Sequence, residues 1–155
     1  MPQFNIGPMD TQLTLSQALP AVNTNVTTGI LDLQSIAPNG NAWRLGRIAA
    51  IIPALPENTV TGITIALQAA PPSLTGGSNA IAPLTPAPGA FVTPPTAQTF
   101  TIAAVAGTGS LAQVGYFTLA FDANGSPYQF YQFVITTPAG VVTVGEVIQI
   151  GWVYA

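Results

Sequence analysis

Fifteen glycines and fifteen prolines are scattered along the 155 residues, and no segment keeps a helical apolar stripe without one of them breaking it. Proline inside a helix removes a backbone hydrogen bond and clashes with the preceding turn, and glycine adds conformational entropy that folding must overcome. The runs between the breakers are rich in Val, Ile, Thr, Phe and Tyr, which fit a pleated surface. The chain is therefore expected to be all-β.

Strand candidates run in order at 12–18, 26–33, 43–52, 60–68, 99–105, 114–121, 128–136 and 141–154. In 60–68 the alternation is clean: Ile63, Ile65 and Leu67 share one face, and Thr64, Ala66 and Gln68 the other. Leu13 and Leu15 share a face of the first run, and Ile30, Leu31 and Leu33 surround Gly29 in the second. Phe100, Ile102 and Ala104 fall together, as do Phe117, Leu119 and Phe121. Asp122-Ala123-Asn124-Gly125-Ser126-Pro127 is a strong turn signal, because Asn-Gly tolerates positive φ and Pro127 ends a ladder. Thr137-Pro138-Ala139-Gly140 is a second, so the last three strands are expected to form a meander.

About eight short strands with turn residues between them is the pattern of an antiparallel β-sandwich, a jelly roll, with a closed barrel as the alternative. The length suits one domain spanning residues 1–155. One segment breaks the short-loop rule. Residues 70–95 hold seven prolines with Leu74, Ile81, Leu84, Phe91 and Val92 interspersed. An extended, proline-stiffened arm that lies on its own domain or on a neighbour is expected there.

Charged residues make up 5% of the chain: Asp10, Asp32, Glu57, Asp122, Glu146, Arg44 and Arg47, for a net charge of −3. About a quarter is typical of globular proteins. Phosphate-backbone binding needs several cations, so nucleic acid is not an expected partner. The longest apolar run, 48–55, is interrupted by Pro53 and is too short to span a bilayer, and residues 1–5 do not read as a signal peptide. A surface with so little electrostatic repulsion suits a protein that neighbours soon cover.

The chemistry available is narrow. Without histidine, lysine or cysteine, a Ser or Thr nucleophile has no base and a transition metal has no soft or imidazole ligand. Ser110, in Gly107-Thr108-Gly109-Ser110, lacks the Gly-Lys-Ser/Thr ending of a phosphate loop and reads as a turn. Asp10, Glu57 and Asp122 stand beside turn residues and are expected to cap turns. No catalytic residue, metal or cofactor is expected, and a hydrolase is the least favoured function.

Two features point to contacts instead. Glu146 shares the apolar parity of Val142, Val144, Ile148, Ile150 and Trp152, so an ion pair with Arg44 or Arg47, within or between subunits, is expected; a sheet-end glutamate at a bulge near Gly145 is the alternative. Tyr128, Phe130, Tyr131 and Phe133 put aromatics on both faces of one strand, one for the core and one for a covered surface. The interface candidates are thus Arg44, Arg47, Glu146, Leu74, Ile81, Leu84 and Phe91.

Short blocks in a shared order carry a resemblance. They are residues 10–19 (Asp-Thr-Gln-Leu-Thr-Leu-Ser-Gln-Ala-Leu), Thr24-Asn25-Val26 leading to Asp32-Leu33, residues 62–68 (Gly-Ile-Thr-Ile-Ala-Leu-Gln), Tyr131-Gln132-Phe133-Val134-Ile135, and residues 145–153. In these the chain resembles the small jelly-roll cement, or capsid-decoration, proteins of short-tailed phages of the Bordetella-phage type. The resemblance implies a virion protein, made in the host cytoplasm, that sits outside an assembled capsid, often as a homotrimer, and bridges major-capsid subunits. The 70–95 arm is longer and more apolar, and the charge content lower, than that family leads one to expect. A receptor- or carbohydrate-binding β-domain of a tail spike or adhesin is the alternative.

Overall fold

The computed structural model describes residues 9–33, 46–55, 62–71, 86, 89–103, 110–125, 127–141 and 145–154. Among them every regular element is a strand: β1 (Met9–Ala18), β2 (Thr24–Thr27), β3 (Leu31–Asp32), β4 (Gly46–Ile52), β5 (Thr64–Ala70), β6 (Thr99–Thr101), β7 (Gln113–Phe117), β8 (Phe130–Thr137) and β9 (Val147–Tyr154). The pairing is nested. β1 pairs with β9, β2 and β3 with β8, β4 with β7, and β5 with β6, all antiparallel. The chain is in effect one long hairpin, rolled up when β4 also takes β9 and β5 takes β8.

Two sheets result, ordered β1-β9-β4-β7 and β2-β8-β5-β6, with β3 continuing alongside β8. Counting β2 and β3 as one interrupted strand gives the eight-stranded jelly roll. Alternation sends Ile48, Ile52, Phe117, Ile148, Ile150 and Trp152 inward from one sheet, and Ile65, Leu67, Tyr131, Phe133 and Ile135 from the other. The Phe117 and Phe133 rings meet across the layers at 5.1 Å and 58°.

The expected meander does not form. β7 and β9 lie in one sheet and β8 in the other, so both predicted turns carry the chain across the sandwich. The turns themselves are as read: Asn124 N donates to Asp122 Oδ1 (2.8 Å), Gly125 N to Asp122 O (3.0 Å), and Gly125 has φ 81°. A hairpin and an arch share this local chemistry. What decides between them is that Phe117, Phe133 and Trp152 are all inward residues of one core.

The expected strand 26–33 is split. Thr27 faces Val134 and Leu31 faces Tyr131, so three residues oppose two, a β-bulge. Thr28 maintains the pairing there: its N donates to Phe133 O (2.9 Å), and its hydroxyl accepts from Phe133 N (3.0 Å). The bulge switches parity, burying Leu31 and Leu33 and leaving Ile30 46% exposed. Asp10 lies inside β1, not at a turn; Glu57 lies outside the described residues.

The return of segment 70–95 packs on its own sheet. Val92 and Ala69 exchange two backbone hydrogen bonds of 3.0 Å, and Leu67 N donates to Gln98 O (3.0 Å), so 92 and 98 both lie along β5. Pro94 between them is buried and Phe91 half-buried. Leu74, Ile81 and Leu84 lie outside the described residues.

Side chains close one flank of the sandwich, where the edge strands β6 and β7 belong to different sheets. Gln98 Nε2 donates to Thr118 O (3.0 Å) and Gln98 Oε1 accepts from Thr118 N (2.8 Å). Gln113 does the same with Ala103, at 3.0 and 2.9 Å. Each amide substitutes for a missing ladder rung. Gly115 lies between them because a Cβ there would stand 2.5 Å from Phe100 Cγ.

Gly115→Ala should therefore destabilise the fold by about 1–3 kcal/mol through overpacking. Urea unfolding would read this as a lower midpoint at unchanged slope, and Phe100→Leu in the same chain should restore part of it.

Candidate interaction surface

Strand alternation turns Thr14, Ser16 and Ala18 of β1, Val147, Gln149, Gly151 and Val153 of β9, Arg47, Ala49 and Ile51 of β4, and Val114 and Tyr116 of β7 to one outer face. Arg47 is the single charge among them. Its guanidinium carbon stands 3.6 Å from the centroid of the Tyr116 ring, a cation–π stack. Tyr116 faces Ala49 directly, which makes it the diagonal neighbour of Arg47, within reach of a long side chain. The alanine methyl leaves that diagonal open. Tyr116 is 42% exposed and Val147 50%, and Arg47, Gln149, Ser16 and Ala18 are exposed as well, whereas Ala49, Gly151 and Val153 are buried.

The other outer face is made of hydroxyls and amides. Asn25, Thr136, Thr64 and Thr101 form one row across four strands, and Thr27, Val134, Ala66 and Thr99 the next. Gln132 Nε2 donates to Gln68 Oε1 (2.7 Å) in the row beyond. Asp32 is the only charge on this face among the described residues, and it accepts a hydrogen bond from Gln129 Nε2 (3.0 Å). Phe130 points to this side and is 2% exposed, so this aromatic of the cluster is covered within the chain.

Of the interface candidates, the structure places Arg47 away from Glu146. Arg47 pairs with Val153, seven residues along β9 from Glu146, a separation of about 23 Å at strand rise. An ion pair between these two within one chain is excluded. Glu146 is half-buried just before β9, beside Gly145 with φ 87°, and its carbonyl accepts from Leu19 N (2.9 Å). This is the sheet-end position. Arg44 lies outside the described residues. The alternation of 114–121 already implied an outward Tyr116; the partner of its ring did not follow from spacing.

Elsewhere the polar groups serve the fold. A cleft of about 320 Å³ opens between residues 95–98 and 118–122. Its walls are knit by the Gln98 amide, by the Asp122 turn, and by Tyr131, whose hydroxyl accepts from Ala120 N (3.1 Å) and donates to Tyr128 O (3.1 Å). Ser110 is buried and exchanges backbone hydrogen bonds with Leu55 at 2.8 and 3.0 Å. Among the described residues no three His, Cys, Asp or Glu stand together as metal ligands.

Comparison with protein-family models, with curated proteins and with solved structures found no match.

Burial holds the Tyr131 phenol protonated well above the ordinary tyrosine range, against the opposing hydrogen bond from Ala120. The raised value means that above about pH 10 the unfolded chain loses a proton that the folded chain keeps. Stability is thus full below that pH and falls as pH rises beyond it. Tyr131→Phe should flatten this alkaline loss while costing about 1–3 kcal/mol near neutrality, because Ala120 loses its partner. Urea midpoints at pH 7 and pH 10.5–11.5 for both proteins check this.

Proposed function

We propose that the chain is a structural virion protein, a capsid-decoration or cement protein that binds the outside of a phage capsid as a homotrimer and bridges major-capsid subunits. The observation that carries this reading is the outer surface of the sandwich: among the described side chains, two broad sheet faces bear one charge each, Arg47 and Asp32. Solitary proteins rely on surface charge to stay apart, and a face built this way is suited to lasting coverage.

Two further features support the reading. The jelly roll is an architecture common among capsid domains, a likeness of fold that raises the expectation without assigning a function. The flank closed by Gln98 and Gln113 shields the β6 and β7 edges, and exposed edges that pair promiscuously would drive aggregation. The resemblance of the sequence blocks to phage cement proteins supplies the capsid as partner. The alternative, a receptor- or carbohydrate-binding domain of a tail spike or adhesin, is favoured by the rows of Thr, Asn and Gln on the β2-β8-β5-β6 sheet.

Purified particles separate the two. The decoration reading predicts the chain in hundreds of copies distributed over the shell, seen by quantitative electrophoresis and low-resolution imaging, and a trimer in sedimentation of the isolated protein. A handful of copies at the tail would overturn it in favour of the second reading.

A further inference from the structure

We propose that the outer face of the β1-β9-β4-β7 sheet is the docking surface, and that the Arg47 guanidinium, held on the Tyr116 ring, engages a carboxylate of a neighbouring protein subunit. This rests on the capsid-decoration reading and names the face that meets the shell.

The choice of face follows from what each sheet presents. Arg and Tyr are enriched among the few residues that dominate protein interfaces, whereas Ser and Thr are under-represented there. One sheet offers Arg47 and Tyr116, with half-buried Val114 and Ile51 in the next row and exposed Val147 at the far end of the same face. The other offers hydroxyls, and its Gln68 and Gln132 amides and its Asp32 carboxylate already bond within the chain.

The choice of partner follows from charge. Among the described side chains, the contact of the Arg47 guanidinium is the Tyr116 ring. A guanidinium held over a ring uses its face for that contact and keeps its edge N–H groups for hydrogen bonds, with less rotamer freedom to lose on binding, which favours bidentate capture of a carboxylate. Among the described side chains, a second copy of this chain offers no carboxylate that is not already engaged within its own chain. Asp32 bonds Gln129, Asp122 bonds the Asn124 amide, and Glu146 is also engaged within its own chain. A single cation is likewise too little for a phosphate backbone or an anionic membrane, both of which reward clusters.

The test uses the full-length protein and particles that lack it, with occupancy measured by co-sedimentation over a range of protein concentrations. Wild type should decorate the particles. Arg47→Glu should weaken binding at least about tenfold, and Arg47→Lys should fall between, since an ammonium keeps the charge but loses the planar fork. Thr136→Glu, on the opposite face, should bind within about twofold of wild type. Thermal melts accompany each variant, and Arg47→Gln decides if Arg47→Glu melts early.

Decoration by wild type with undiminished binding of Arg47→Glu and Arg47→Gln would overturn the docking face while leaving the capsid reading intact. Loss of binding by Thr136→Glu alone would move the interface to the other sheet. Self-association of the isolated protein that Arg47→Glu disperses would assign the face to a second copy. No decoration by wild type would remove both readings together.

Discussion

The structure depends on one requirement: the inward side chains of β7, β8 and β9 must share a single core. Phe117, Phe133 and Trp152 belong to three strands consecutive in sequence, and each is at most 1% exposed. Laid side by side in one sheet these strands would leave their apolar face needing a second layer from elsewhere. Alternating between sheets lets the Phe117 and Phe133 rings meet at 5.1 Å. Burial of apolar surface, at roughly 25 cal/mol per Å², outweighs any preference the connecting turns could express. The nested pairing of first strand with last, second with second-last and so inward is the topology that meets this requirement for the whole chain.

A chain with so few charges closes its edges by other means. Lysines on edge strands, the common device against edge-to-edge association, are absent from the sequence. The two glutamine amides bind β6 and β7 together instead, and the Thr28 bulge interrupts the β2–β3 edge. Both devices leave the faces, not these edges, as the surfaces offered to other molecules. On one of those faces the charge is a stacked guanidinium, and on the other it is a carboxylate held by Gln129.

Strand content and the jelly-roll class were legible in the sequence because period-two alternation is local, as in Ile63, Ile65 and Leu67, all fully buried. The turn at 122–127 was legible too, since Asn-Gly chemistry depends on neighbouring residues alone. Sheet membership was not. A hairpin and an arch begin with the same turn, and only distant partners distinguish them. The split of the expected strand 26–33 was illegible for a related reason: the bulge is held by a hydrogen bond between Thr28 and Phe133, residues far apart in sequence. On the candidate surface, Arg47 was picked out by being one of two cations, but its pairing with Glu146 within one chain failed because parity says nothing about position along a strand. Tyr116 and the two glutamines gave no sign of their partners, which belong to other strands.

The most direct test of the account is a high-resolution reconstruction of a particle carrying the chain, in which the orientation of the sandwich can be read. The account predicts density for many copies on the shell, with the β1-β9-β4-β7 face and Arg47 against a neighbouring subunit's carboxylate. Copies confined to the tail, or a sandwich whose β2-β8-β5-β6 face meets the shell while Arg47 points to solvent, would contradict it.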